Sequence, residues 1–467
     1  MIHSFSINNT NIVLDVYSGA VHVLDDLAYA VLTGNTEQYS EESVAEAQKE
    51  IDTLISCGRL FSQPPKGTKE KETAFTKDRP QIVKSLCMHI AHDCNLRCKY
   101  CFAGEGDYSA LVEKVKKAEK SRTLMSPEIG KKAIDFLIAN SGSRRNLEVD
   151  FFGGEPTLNF DTVKAVIEYA GSREAEAGKN FRFTFTTNGL LLDDDKIEYI
   201  NRHMDNVVLS LDGRKEVNDK MRIMKGNRLQ NVTGCYDRIV PKFRQLVEAR
   251  NHQNYYMRGT YTSENLDFSR DVLHIADLGF SQISVEPVIG PPDAFYSIKK
   301  EHIPALCEEY ERLAIQMLER EKGERFNFFH FMLDLEGGPC AAKRITGCGA
   351  GTEYLACTPE GDLYPCHQFV GDEQFRLGNL DAGIVQTAGS GTSAGSGPST
   401  WQEQFSRCNV YTKPECDACW AKYFCSGGCA ANAFYTNGNI MEPDLIGCEL
   451  QKKRLECALY LLAARVV

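Results

Sequence analysis

The chain has 467 residues, of which 42% are hydrophobic and 25% charged, and its formal net charge is −11. That length suits two or three domains, and the composition is that of a globular protein in water. No run reaches roughly 18 consecutive apolar residues, the opening MIHSFSINNTN has neither signal nor transit character, and the acidic balance argues against a dedicated nucleic-acid binder, so a cytoplasmic protein with no membrane or nucleic-acid partner is expected.

Residues 1–61 read as a small module. SFSINN, NIVLDVY and AVHVL are short strands separated by an Asn-rich turn and by Ser18-Gly19. A helix from near Asp25 to Gly34 follows. A second has Ser43 as its cap, with Glu46 three residues on. It presents Val44, Ala47, Ile51, Leu54 and Ile55 on one face and stops at Gly58. Residues 62–81 are polar and proline-punctuated, as a linker is.

From residue 82 to about 325 the pattern alternates strand and helix. VKSLCMHIAH, LEVDFF, FRFTFTT, NVVLSL, YYMRGTYT and QISVEPV are six strand candidates. The clearest intervening helix is SPEIGKKAIDFLIAN, with Ser126 as cap and Pro127 in its first position. Such alternation implies parallel strands with right-handed crossovers. An α/β fold is expected, preferably an open partial barrel of six units, with a doubly wound sheet as the competitor. A helix near 301–322 closes this part. Residues 326–467 have little periodicity, many glycines, the low-complexity run AGSGTSAGSGPST, and a final helix in CELQKKRLECALYLLAARVV.

Cysteine is the unusual residue. There are eighteen, three of them at Cys94, Cys98 and Cys101 and eleven from Cys340 onward. A chain this long without a secretion signal is no disulfide scaffold, so clusters of this kind point to metal. Cys94-x3-Cys98-x2-Cys101 follows the first barrel strand, where loops at the carboxyl ends hold the chemistry. Three thiolates leave one corner of a four-iron cube open to a small molecule; three zinc ligands with a distant fourth is the alternative. The next strand candidates end in FFGGEP, TTNG and LSLDG, and MRGT lies in the fifth. They bring Gly153, Gly154 and Glu155, then Asn188, then Ser210 with Asp212, then Arg258, which can pair with a carboxylate. Each alone is weak, since Gly-Gly and Asn-Gly are usually turns. Together they are not.

With Phe102 after the third cysteine, these motifs resemble the radical S-adenosylmethionine superfamily. The resemblance implies a partial (β/α)6 barrel and a [4Fe–4S] cluster on Cys94, Cys98 and Cys101, whose fourth iron is chelated by S-adenosylmethionine. It further implies that Gly153, Gly154 and Glu155 hold the methionine amino group and that Arg258 faces the carboxylate. Ser210 and Asn188 would contact the ribose, and Val285-Glu286-Pro287 would lie near the adenine. The cofactors carry the radical chemistry.

In the third region, Cys348 is followed by Gly361 and Cys366, then by Cys416-x2-Cys419-x5-Cys425-x3-Cys429 and finally Cys448. Zinc is a serious alternative on chemistry alone. The spacing resembles the SPASM extension, which implies two auxiliary [4Fe–4S] clusters and three in all. Cys416, Cys419, Cys425 and Cys448 would hold the distal one, and Cys348, Cys366 and Cys429 the nearer. Either Cys340 completes the nearer set or an iron stays open to a substrate thiolate. Cys57 and Cys87 read as buried packing residues, Cys235, Cys307 and Cys457 lie in or near helices without metal spacing, Cys357 and Cys408 receive no role, and His367 reads as a surface-loop histidine, with a proton carrier or a donor beside the cysteines as the alternative.

The N-terminal module resembles the winged-helix-like peptide-recognition domain of enzymes that modify ribosomally made peptides, which binds a leader as an added edge strand. The chain as a whole resembles the SCIFF (six-cysteine peptide) maturases. This implies thioether crosslinks from cysteine to an acceptor such as threonine, a cysteine-rich precursor as partner, and flavodoxin or ferredoxin as electron donor. The alternatives are a SPASM dehydrogenase of the formylglycine-forming type and a non-catalytic zinc-stabilised binding protein.

Overall fold

The computed structural model describes residues 1–64, 66–77, 82–103, 124–225, 234–333, 341–384 and 400–466. At the N-terminus β1 (Ile2–Ile7), β2 (Thr10–Asp15) and β3 (Val21–Leu24) form an antiparallel sheet in that order. Asn8 and Asn9 make the first turn at φ +49° and +59°, a region asparagine tolerates best after glycine. Asp25 caps the helix Asp26–Thr33 by accepting the Ala28 N–H at 2.7 Å. The helix Glu41–Ser56 starts earlier than its sequence pattern suggests. Ser40, not Ser43, is the cap, its Oγ accepting the Ser43 N–H at 3.2 Å, and Glu41 and Glu42 then complement the helix dipole. Cys57 ends this helix exposed rather than packed.

Part of the expected linker is ordered. Thr68–Lys77 is a helix, held from outside its own sequence: Lys69 pairs with Asp417 at 2.5 Å, and the Tyr411 hydroxyl donates to Glu72. Its composition is that of a linker; tertiary partners make it helical.

The remaining strands are β4 (Ser85–Ala91), β5 (Leu96–Cys98), β6 (Asn146–Gly153), β7 (Asn180–Thr187), β8 (Asn206–Ser210), β9 (Arg222–Met224), β10 (Tyr255–Tyr261), β11 (Gln282–Pro287), β12 (Asn327–Phe328), β13 (Tyr354–Cys357), β14 (Asp362–Tyr364), β15 (Gly378–Asn379) and β16 (Gly383–Ile384). All but the β5–β9 pair join one sheet, in the order β12-β11-β10-β8-β7-β6-β4-β13-β14-β15-β16. The six expected strands all form. They neighbour one another in sequence order and run parallel. A doubly wound sheet would reverse that order midway, so the fold is a singly wound α/β sheet of the open-barrel kind. What the pattern did not show is β13, from the cysteine-rich region, which pairs in parallel with β4 and extends the sheet. Cys357, in this strand, is fully buried.

Period-2 burial gives each strand two faces. In β10, Tyr255, Met257, Gly259 and Tyr261 are buried while Arg258 stays accessible. Asp150 in β6 stands in register with Cys87 and Thr184. Burial, then Glu148, pushes its carboxyl up to about 7 from the ordinary 3.8. A raised carboxyl binds its proton more tightly folded than unfolded, so its favourable contribution is complete below the ordinary value and lost as pH rises through about 7. Asp150→Asn, which cannot ionise, is therefore expected to be about 2 kcal/mol more stable than the parent at pH 8. The gap should narrow as pH falls below about 7 and close only below the ordinary value of 3.8; melting curves across pH check it, and a pH-independent gap would refute it.

Candidate functional site

The loop after β4 buries Cys94 and leaves Cys98 and Cys101 half-buried. Cys94 Sγ accepts the Leu96 N–H at 3.4 Å and lies 3.6 Å from Asn188 Nδ2, which also donates to Asn95 Oδ1 at 2.7 Å. The three thiols lie close enough to raise one another's pKa. Burial, then Glu155, pushes the Cys94 thiol to about 12. Cys98 keeps some solvent access, and burial is the largest cause of its raised thiol pKa. Thiols held protonated in this way bind metal only as it displaces their protons.

Three residues without a sequence-derived role anchor this loop. β5 pairs antiparallel with β9 and so brings Arg222 beside Cys98. Arg222 pairs with fully buried Asp212 at 2.9 Å. Asp212 also accepts the Tyr100 hydroxyl at 2.6 Å and the Thr260 N–H at 3.0 Å. The cysteine loop is thereby tied to the ends of β8 and β10. The signal was partly visible, since Tyr100 lies within the cysteine motif and Asp212 ends a strand; the β5–β9 pairing that recruits Arg222 was not.

Gly153 and Gly154 have a measurable reason. A Cβ at Gly153 would lie 2.2 Å from the Ala91 carbonyl oxygen, and one at Gly154 2.2 Å from that of Asp93. The Gly154 N–H donates to Ala91 at 2.7 Å and the Glu155 N–H to Asp93 at 3.0 Å. The glycines let the end of β6 lie directly on the backbone of the cysteine loop. The buried Glu155 carboxylate accepts from Thr157 N–H and Oγ1, Thr187 Oγ1 and Asn188 N–H, at 2.6–3.1 Å. Burial raises its pKa. Its side chain braces β6 to β7.

Ser210 and Arg258 are register partners across β8 and β10. Arg258 meets Glu286 of β11 at 3.1 Å, as do His330 at 3.1 Å and Arg454 at 3.8 Å. Burial would raise the Glu286 carboxyl, but His330, Arg258 and Arg454 together hold it well below the usual range. Arg454 arrives from the final helix Leu445–Val466 and donates to the Tyr310 hydroxyl at 2.8 Å. The closing helix is thus part of the barrel wall.

The third region gathers two cysteine groups. Cys348, Cys366 and Cys429 act on one another electrostatically, as do Cys416, Cys419, Cys425 and Cys448. Cys340 lies outside the described residues. Among the described residues no three His, Cys, Asp or Glu side chains converge tightly enough for one metal ion. Zinc, with sulfur at about 2.3 Å, draws its thiolates almost into contact; a four-iron cube takes them at its separate corners. The all-thiol chemistry of these sets of three, three and four is that of iron–sulfur ligands. His367 is not the expected surface histidine: it packs against Phe102 and Phe152 and hydrogen-bonds the Tyr354 hydroxyl at 3.1 Å. Burial, then Arg258, lowers its pKa to about 4.

Residues 88–252, which carry the first cysteine set and the motifs of β6 to β8, match the model of the Radical SAM superfamily. The chain is 23% identical over 313 residues to a cysteine-type anaerobic sulfatase-maturating enzyme of Clostridium novyi, covering 64% of this chain and 78% of that one. The structure superposes on anSMEcpe with bound AdoMet at a TM-score of 0.64 and 19% identity, covering 82% of this chain and 96% of that chain. It also superposes on Streptococcus suis SuiB bound to S-adenosylmethionine at 0.52 and 16%, covering 96% of this chain and 98% of that chain. These likenesses concern the fold. They extend the likeness of fold beyond residues 88–252 to most of the chain. Among the described residues no helix is long and apolar enough to cross a membrane.

Proposed function

We propose that the chain is a radical SAM peptide maturase that joins a cysteine sulfur of a ribosomally made, cysteine-rich precursor to an acceptor carbon, threonine in particular. The observation that carries this reading is the assembly of three separate all-thiol sets in one chain with a peptide-sized N-terminal module docked beside them. In that docking His3 of β1 stacks on Trp420 at 3.7 Å and pairs with Glu456 at 2.8 Å. Trp420 directly follows Cys419.

When bound, the cluster on Cys94, Cys98 and Cys101 and S-adenosylmethionine together supply a 5′-deoxyadenosyl radical that takes a substrate hydrogen atom. The chain's own part is positional. Asp212, Arg222 and Tyr100 hold the cysteine loop, Glu155 fixes the ends of β6 and β7, and Ser210 and Arg258 present polar groups to the cofactor. Cys348, Cys366 and Cys429 would hold one auxiliary cluster and Cys416, Cys419, Cys425 and Cys448 another, which would supply acceptors for the leftover electron. Cys340 either completes the nearer set or leaves it open to the substrate sulfur. Net, one C–H and one S–H bond break and one C–S bond forms, with loss of two hydrogens. The leader lies along the N-terminal sheet as an added strand, and a flavodoxin or ferredoxin supplies electrons.

The sulfatase-maturase likeness favours a second reading, dehydrogenation of a peptide side chain. Its proton acceptor would be a carboxylate next to Cys366, where this chain has His367, held neutral by burial. Incubation of the reduced, iron-loaded enzyme with a cysteine-rich precursor separates the two. Loss of two hydrogens with one thiol blocked is the expected result; the same loss with every thiol free would refute thioether formation.

A further inference from the structure

Lys413 is almost fully buried, at 2% exposure, between the two cysteine groups of the third region. Its carbonyl accepts the N–H groups of Cys416 at 3.0 Å and Asp417 at 2.9 Å, so it opens the short helix Pro414–Asp417 that carries the first distal cysteine. Its ammonium crosses to the Gly427 carbonyl at 3.0 Å. Gly427 lies between Cys425 and Cys429, which belong to different groups. The Lys413 charge acts on Cys416 and Cys425 of one group and on Cys429 of the other, and its side chain hydrogen-bonds Cys408.

A buried ammonium needs nearby negative charge to offset its lost hydration. The side chains on which its charge is shown to act are thiols, which burial holds protonated until metal displaces the proton. We propose that Lys413 is a fixed positive charge shared by the two auxiliary cysteine groups, and that it favours one-electron reduction of the iron–sulfur clusters they hold. Each reduction, by an external low-potential reductant such as dithionite, adds one electron and one negative charge to a cluster. A cation within a few ångströms stabilises that product in a low-dielectric site, and net charge is one of the levers on cluster potential. Lys413 is a positioning residue, and the inference rests on the cluster reading above.

The test uses the full chain with Cys94, Cys98 and Cys101 changed to alanine, reconstituted anaerobically, so that only auxiliary clusters report. Lys413→Gln keeps an amide donor for Gly427 but removes the charge; Lys413→Arg keeps the charge. Iron and sulfide are counted, and reduced clusters are followed by EPR during potentiometric titration. With iron unchanged, Lys413→Gln is expected to show a tenfold lower reduced-to-oxidised ratio at a fixed potential, a midpoint about 59 mV lower, while Lys413→Arg titrates like its parent. Iron lost in the glutamine variant and kept in the arginine variant also supports the charge. Equal midpoints for the glutamine variant and the parent overturn the inference, as do equal effects of both substitutions, since either result leaves Lys413 a brace alone. A parent without iron overturns the cluster reading itself.

Discussion

Changing Cys94, Cys98 and Cys101 together to alanine is expected to remove about four irons per chain out of about twelve and to abolish 5′-deoxyadenosine formation under reducing, anaerobic conditions. On the proposed function the three thiols would be the cluster donors, and their loop is fixed by bonds that alanine does not break. The Gly154 and Glu155 N–H groups still reach Ala91 and Asp93, and Asp212 still holds Tyr100 and Arg222. The variant should therefore fold and keep its auxiliary iron. Iron analysis, deoxyadenosine chromatography and a melting curve measure the three quantities. Undiminished deoxyadenosine formation would remove these cysteines from the reaction.

Glu286→Gln is expected to have the largest effect on stability, a loss of about 3–5 kcal/mol, because it strands a buried cation. Glu286 is the shared counter-ion of Arg258, His330 and Arg454, and Arg454 is 6% exposed. The depressed carboxyl contributes stability above the ordinary carboxylate range and loses it as pH falls through the folded value. The parent should accordingly lose stability on acidification, and the glutamine variant should show a flatter acid limb. A double variant that also carries Arg454→Met is expected to recover part of the loss, since it removes the stranded charge. Additive losses would mean that the two side chains do not act as a pair.

Particular elements show how much could be read in advance. The six parallel strands follow from alternation of periods, which is local information; their order, which excludes a doubly wound sheet, comes from the structure. The three thiols, Gly153, Gly154, Glu155 and Asn188 were visible because they recur at strand ends. Their work was less visible. The glycines read as room for a ligand, whereas the nearest atoms are the carbonyls of Ala91 and Asp93. Glu155 read as a cofactor contact, and its side chain proves to be a brace with four donors.

By itself the sequence determined an α/β sheet of parallel strands, the helix limits at Asp25 and Gly34, and the spacing of the cysteines, because turn chemistry and hydrophobic period act over a few residues. The tertiary structure alone decided the single winding of the sheet, the pairing of β13 with β4, the helix inside a linker-like segment, and the packing of His367 against Phe102 and Phe152. It also decided the convergence of Arg258, His330 and Arg454 on Glu286 and the place of Lys413 between two cysteine groups. Each of these depends on residues far apart in the chain. Their partners are chosen by the surface left over once the local elements have packed, and no local pattern records that choice.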